Sequence, residues 1–222
     1  MLEKMILYLA VLLLNLAMFY LLTKDPELFV AGENGRVPVK RYFLIIYSAC
    51  FLLANMAIAF LFTKVYYTNS LLFSLKRFGV LALLWPVALI DWKTYRIPNR
   101  FILAGLTIRG MLFIGELFLD GDVIWGNLIS EVIAAGALGL ATLLCSVCLK
   151  NSIGYGDIKL FLVMGLLLGM SGIWSAIFMS LIVAFITALI LLIGKKKGKK
   201  DVVPFAPSIM IGTYISVILT GM

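Results

Sequence analysis

The feature that most constrains this chain is its punctuation by apolar runs. Runs at about 5–22, 42–62, 71–90, 101–119, 124–149, 158–170, 173–193 and 204–221 are separated only by short polar gaps. A helix needs about 20 apolar residues to cross the hydrocarbon of a bilayer, and most of these runs approach that length. With 63% hydrophobic and 14% charged residues, the chain carries more apolar surface than a soluble core of this size can hide. The short-period alternation of a membrane barrel is absent, and backbone groups in lipid must be satisfied within a helix or a closed barrel. The expected fold is therefore all-α, a polytopic bundle of about eight transmembrane helices. No Ser/Gly linker and no internal repeat divides it, so residues 1–222 read as a single membrane domain. The first run is too long for the core of a signal peptide and no small-x-small cleavage site follows, which makes it a retained helix.

The net charge of +8 raises the question of nucleic acid, but Lys and Arg are confined largely to the gaps between apolar runs. Such an excess belongs to cytoplasmic loops and needs no nucleic-acid partner. If 23–41, 91–100, 150–159 and 194–201 face the cytoplasm, they hold fourteen basic residues, against four on the other face (Lys4, Lys64, Lys76 and Arg77). That places both termini outside. It makes 23–41 a short cytoplasmic loop, and the lysines Lys195, Lys196, Lys197, Lys199 and Lys200 a topology anchor attracted to anionic lipid.

Carboxylates in membrane segments are costly and point to function. Asp91 closes the third run and Asp157 opens the sixth, inside Gly154-Tyr155-Gly156-Asp157-Ile158-Lys159. Two spans intervene, so both aspartates fall on the same membrane edge, which the charge count makes the cytoplasmic one. Each has a plain structural reading. Asp91 can be a solvated helix end paired with Lys93 or Arg96, and Asp157 can cap the sixth helix and complement its dipole. Together they offer more. Two carboxylates held close do not both ionise readily, so one acts as general base on a water while the other, protonated, hydrogen-bonds a scissile carbonyl. Such hydrolysis needs no histidine, metal or nucleophilic serine.

Other signals are structural. Cys145 and Cys148 make a Cys-x-x-Cys with no second pair to complete a zinc site, and buried helix packing accounts for them. Lys76 and Arg77 interrupt the third span and the sixth is short, as in helices that line a cavity. Arg109 lies roughly 13 Å into its helix at the usual rise; it, Glu116 and Glu131 are expected to make interhelical polar contacts. Pro98 biases Ile97 away from helix, leaving Asn99 as N-cap of the fourth span. In Pro204-Phe205-Ala206-Pro207 the prolines either keep the chain extended, as an edge that a substrate strand can join, or start a helix.

Asp91 with Ile97-Pro98-Asn99, then Gly154-Tyr155-Gly156-Asp157-Ile158-Lys159-Leu160, then Val203-Pro204-Phe205-Ala206-Pro207 before the last run, resemble the type IV prepilin peptidases, the Gly-x-Gly-Asp intramembrane aspartyl proteases. The likeness spans about 78–215. It implies a plasma-membrane aspartic endopeptidase with Asp91 and Asp157 as the catalytic pair. Gly154, Gly156, Lys159, Pro204, Phe205 and Pro207 would bind substrate, with neither metal nor cofactor. The implied substrates are prepilin-like or pseudopilin proteins, whose short basic leader is cut at the cytoplasmic face after a glycine and before an apolar helix. Full-length bacterial members carry a zinc-binding domain with two Cys-x-x-Cys pairs between the first two helices, associated with N-methylation. Residues 23–41 stand there without a cysteine, so methyltransferase activity is not expected. The competing class is a small proton- or ion-coupled transporter using the same aspartates as a relay, although relay carboxylates sit near the midplane and these lie at an edge.

Overall fold

The computed structural model describes residues 2–29, 38–119, 124–148, 154–194 and 203–221. Among them the chain is helical, with α1 (Leu2–Thr23), a 3-10 turn (Pro26–Leu28), α2 (Arg41–Lys64), α3 (Leu71–Thr94), α4 (Asn99–Leu119), α5 (Ile124–Cys148), α6 (Tyr155–Ile193) and α7 (Ala206–Thr220). Six of these are long and apolar enough to cross a membrane, and α7 is a shorter apolar helix. The chain is a multi-pass membrane bundle. The expected lysine anchor at 195–200 and residues 30–37 of the 23–41 loop lie outside the described residues. The described ends of that loop fold back on the bundle: Val39 N–H donates to Leu28 O (2.9 Å), and buried Asp25 caps the 3-10 turn and pairs with Arg100 at the start of α4.

The bundle is built around α3. Every residue from 76 to 91 is buried, and α1, α2, α4, α6 and α7 pack around it. A helix surrounded on all sides has no polar face to show, which is why 78–90 reads as apolar throughout. Trp85, Leu81, Leu83, Leu84 and Ile90 are among its fully buried side chains. Many large apolar side chains of α1 and α2 and most of those of α5 are exposed instead, as expected where the surrounding solvent is lipid. Cys145 and Cys148 belong to that outer surface, contrary to the expected burial. The buried residues of α5 are Ile124, Glu131, Ala134, Ala135, Leu138, Gly139, Thr142 and Ser146; those from Ala134 onward make a mostly small-residue face that meets α6 and excludes both cysteines.

The sixth and seventh expected spans form one helical run, α6, broken at Gly169 (φ 67°, ψ −177°). That conformation is open essentially to glycine alone. The halves run in opposite senses. Phe161 lies against Phe205 at the start of α7, whereas in the second half Ser175 bonds Ser216 and Ser180 donates to Ile209 O. A break in a helix strands carbonyls on one side and N–H groups on the other. Here Arg77 of α3 donates to Leu167 O and Leu168 O (3.5 and 3.1 Å), and Met170 N–H donates to Ser130 Oγ of α5 (3.3 Å). The arginine that interrupts the third apolar run thus supplies the donors the break requires.

Next to it lies a buried ionic cluster. Lys76 pairs with Glu116 and with Glu131 Oε1 (2.5 Å); Arg109 pairs with Glu116 Oε2 (3.1 Å) and Glu131 Oε2 (2.5 Å). Arg109, Glu116 and Glu131 make the interhelical polar contact expected of them, joining α3, α4 and α5.

Candidate active site

Asp91 lies one turn before the end of α3 and is 6% exposed. The helix stops because Tyr95 adopts a left-handed conformation (φ 55°, ψ 32°), with its N–H on Asp91 O (2.9 Å). Pro98 then holds the chain out of helix until α4 begins. The Asp91 carboxylate is held from a second element as well: Ala206 N–H, at the first residue of α7, donates to its Oδ2 (2.9 Å). A helix N-terminus has free N–H groups and a positive dipole end, so it is a ready donor to a carboxylate.

Asp157 is the third residue of α6, half-buried, with its N–H on Gly154 O (3.0 Å). Gly154 is the N-cap and has no side chain to satisfy the first turn. The Asp157 carboxylate turns back to accept from the Gly154 backbone, its Oδ2 lying over that residue, in the manner of an N3 capping residue. Its other oxygen, Oδ1, is buried and has no hydrogen-bond partner among the described residues. The capping role and the chemical role are thus compatible: one oxygen fixes the group and the other remains available. Asp91 and Asp157 are close enough for their charges to repel. The parity of the intervening spans therefore puts both at the same end of the bundle.

The other residues singled out from the sequence distribute unevenly. Gly156 faces Ile97 of the α3–α4 turn; a Cβ built on it would stand 3.0 Å from Ile97 Cβ. Lys159 Nζ donates to Asn99 Oδ1 (3.0 Å), so Asn99, now the first residue of α4, spends its side chain on α6 and not on capping its own helix. Phe205 packs edge-on to Phe161, one turn beyond Asp157. Pro204 lies in the non-helical entry to α7, and Pro207 sits in that helix's first turn. Of the two readings of this segment, the proline-started helix is the one found, since the fixed φ of proline suits the first turn. The Ala206 amide, which an extended edge would leave open, is taken by Asp91.

Sequence reasoning missed two features. One is the Ala206 amide, for which Pro207 was the available signal: a proline in the first turn marks a helix start with unspent N–H groups. The other is a groove of about 590 Å³ against the last turns of α3. It is lined by Tyr42, Phe43, Tyr47 and Phe51 of α2, by Leu89 and Trp92 of α3, and by Pro207 and Met210 of α7, with Lys40 and Lys93 also at its wall. Its contributors are scattered over the chain, and no local pattern joins them. Among the described residues, no three His, Cys, Asp or Glu side chains gather to hold a metal ion.

With this geometry in hand, the chain can be set beside known proteins. The sequence signature of the type IV leader peptidase family matches residues 78–193, which hold both aspartates. The chain is also similar to a protein of Bacillus subtilis (strain 168) named prepilin leader peptidase/N-methyltransferase, with 29% identity over 150 residues, covering 63% of this chain and 58% of the relative. It thus spans a little over half the length of that curated relative. No solved structure matches.

Proposed function

We propose, starting from the fact that this chain belongs to the type IV leader peptidase family, that it is a membrane aspartic endopeptidase whose catalytic pair is Asp91 and Asp157. The observation that carries the reading is the meeting of two carboxylates from α3 and α6 at one end of the bundle, within reach of each other's charge. One proton is shared by such a pair, and its titration belongs to both members. The ionised carboxylate takes a proton from a water whose oxygen attacks the scissile carbonyl carbon, while the protonated one donates to the carbonyl oxygen. Collapse of the tetrahedral intermediate breaks the C–N bond, and the departing amine takes up a proton. Ala206 N–H keeps the Asp91 carboxylate oriented throughout.

The substrates on this reading are prepilin-like or pseudopilin proteins, whose basic leader is cut at the cytoplasmic face of the plasma membrane. The apolar, aromatic groove by the last turns of α3 suits the apolar helix that follows such a leader. Lysines at 195–200 would hold this edge against anionic lipid.

Co-expression with a prepilin-like protein tests the reading. The wild-type chain shortens it, and Asp91→Asn and Asp157→Asn each leave it at full length. Normal cutting by either variant sinks the pair, and a wild-type chain that cuts no basic leader sinks the peptidase.

A further inference from the structure

Asp91 is fixed from behind by Ala206, but its distance from Asp157 has to be set by something joining α3 to α6. The short α3–α4 connection follows Asp91 directly, and together with the first residue of α4 it touches α6 on both sides of Asp157. Ile97 lies on Gly156, with its Cβ 3.0 Å and its backbone N 3.5 Å from where a Gly156 Cβ would be. Two residues further on, Asn99 Oδ1 accepts from Lys159 Nζ. Ile97 is half-buried and packs against the main core, so it has neighbours on the side away from Gly156. The left-handed Tyr95 and Pro98 bound the turn at either side, and leave it little slack.

We propose that Ile97 is a positioning residue for the carboxylate pair: resting on Gly156, it sets how closely Asp91 approaches the first turn of α6. On this view the second glycine of Gly154-Tyr155-Gly156-Asp157 is small because Ile97 occupies the space of its side chain, not because a substrate does. The inference rests on the two-aspartate reading. Catalytic groups must be held to within about 0.5 Å, and a misplacement of about 1 Å costs roughly a hundredfold in rate. A methyl at Gly156 forces Ile97 away by a few tenths of an ångström, so a loss of about tenfold follows.

The test is a size exchange in the purified full chain, reconstituted in lipid nanodiscs, with a synthetic prepilin-like protein bearing a basic leader as probe. Gly156→Ala lowers kcat about tenfold with KM nearly unchanged, while thermal stability holds or rises because alanine is the better helix former. Ile97→Gly in that background removes the obstructing Cβ and restores most of the lost kcat. A double variant whose loss is the product of the two single losses overturns the proposal, as does a rise in KM that Ile97→Gly does not relieve, the pattern of a glycine that touches substrate. Should Gly156→Ala fail to accumulate, Ile97→Val, which keeps Cβ, retains kcat while Ile97→Gly alone lowers it; equal values overturn the proposal. A wild-type chain that cuts nothing overturns this and the peptidase reading together, whereas a wild-type chain that cuts beside additive variants overturns the positioning role alone.

Discussion

The two ends of α3 hold charged groups in opposite arrangements. Toward its start, Lys76 meets Glu116 and Glu131, Arg109 meets the same two carboxylates, and Arg77 lies on the carbonyls freed at Gly169. Near its last turn, Asp91 lies within range of another carboxylate's charge. Along the helix the two regions are about 21 Å apart at the usual rise between Arg77 and Asp91. At one end Lys76, Arg109, Glu116 and Glu131 each meet an opposite charge and Arg77 meets carbonyls; the other brings two carboxylates within reach of each other's charge, at a cost in stability. A single chemical change, carboxylate to amide, should therefore have contrary effects at the two ends.

The largest effect is expected at the like-charged end. Asp91→Asn or Asp157→Asn should lower the rate of leader cleavage by about 10²–10⁴-fold, the range of a lost general acid or base. Thermal unfolding in nanodiscs should be unchanged or raised, since a repulsion has been removed. At the paired end, Glu131→Gln should do the reverse. Removing one partner of a buried pair costs about 3–5 kcal/mol, and here it leaves two buried cations, Lys76 and Arg109, with Glu116 alone between them. Reversible unfolding in mixed micelles would read that loss, while the fraction that remains folded should still cut. If Glu131→Gln were as stable as the wild type, the cluster would be a surface feature and the contrast would collapse. Gly169→Ala comes next: forcing a side chain into φ 67° costs about 1–3 kcal/mol by the same unfolding measurement. Ser130→Ala should be the mildest, about 1 kcal/mol, because it removes only the acceptor for Met170 N–H. A loss of cleavage without a loss of stability in either of these last two would mean that the two ends are coupled through α6, and the contrast would have to be redrawn.

What the sequence disclosed follows from the range of the forces involved. Apolar runs announce helices because crossing a bilayer leaves no other local solution, and the edge position of Asp91 and Asp157 needs only counting of spans. The reversal at Gly169 could be approached from the short sixth run, but its caps could not: Arg77 and Ser130 lie far from it in the chain and meet it only after packing. Arg77 was visible as an interruption of an apolar span, a signal with no partner attached. The Ala206 amide, the Ile97 contact and the aromatic groove were hidden for the same reason, since each is made by residues from different helices. Cys145 and Cys148 were misplaced because apolarity does not distinguish the inside of a membrane bundle from its lipid-facing outside; the small residues of α5, not the large ones, mark its packed face.

The reversal of α6 also dictates an order of assembly. Its stranded carbonyls and its stranded amide are met by α3 and α5, both of which leave the ribosome earlier, so the bend can settle only against a bundle that already exists. Synthesised alone, the run would be a single apolar rod of roughly 58 Å at the usual rise, about twice the thickness of the hydrocarbon it must fit. Once folded back, its second half offers the surface on which α7 docks, bringing Ala206 to Asp91. The Asp91 carboxylate thereby receives its donor from a helix made after both aspartates, and a chain stalled short of α7 would carry the two without the donor that orients one of them.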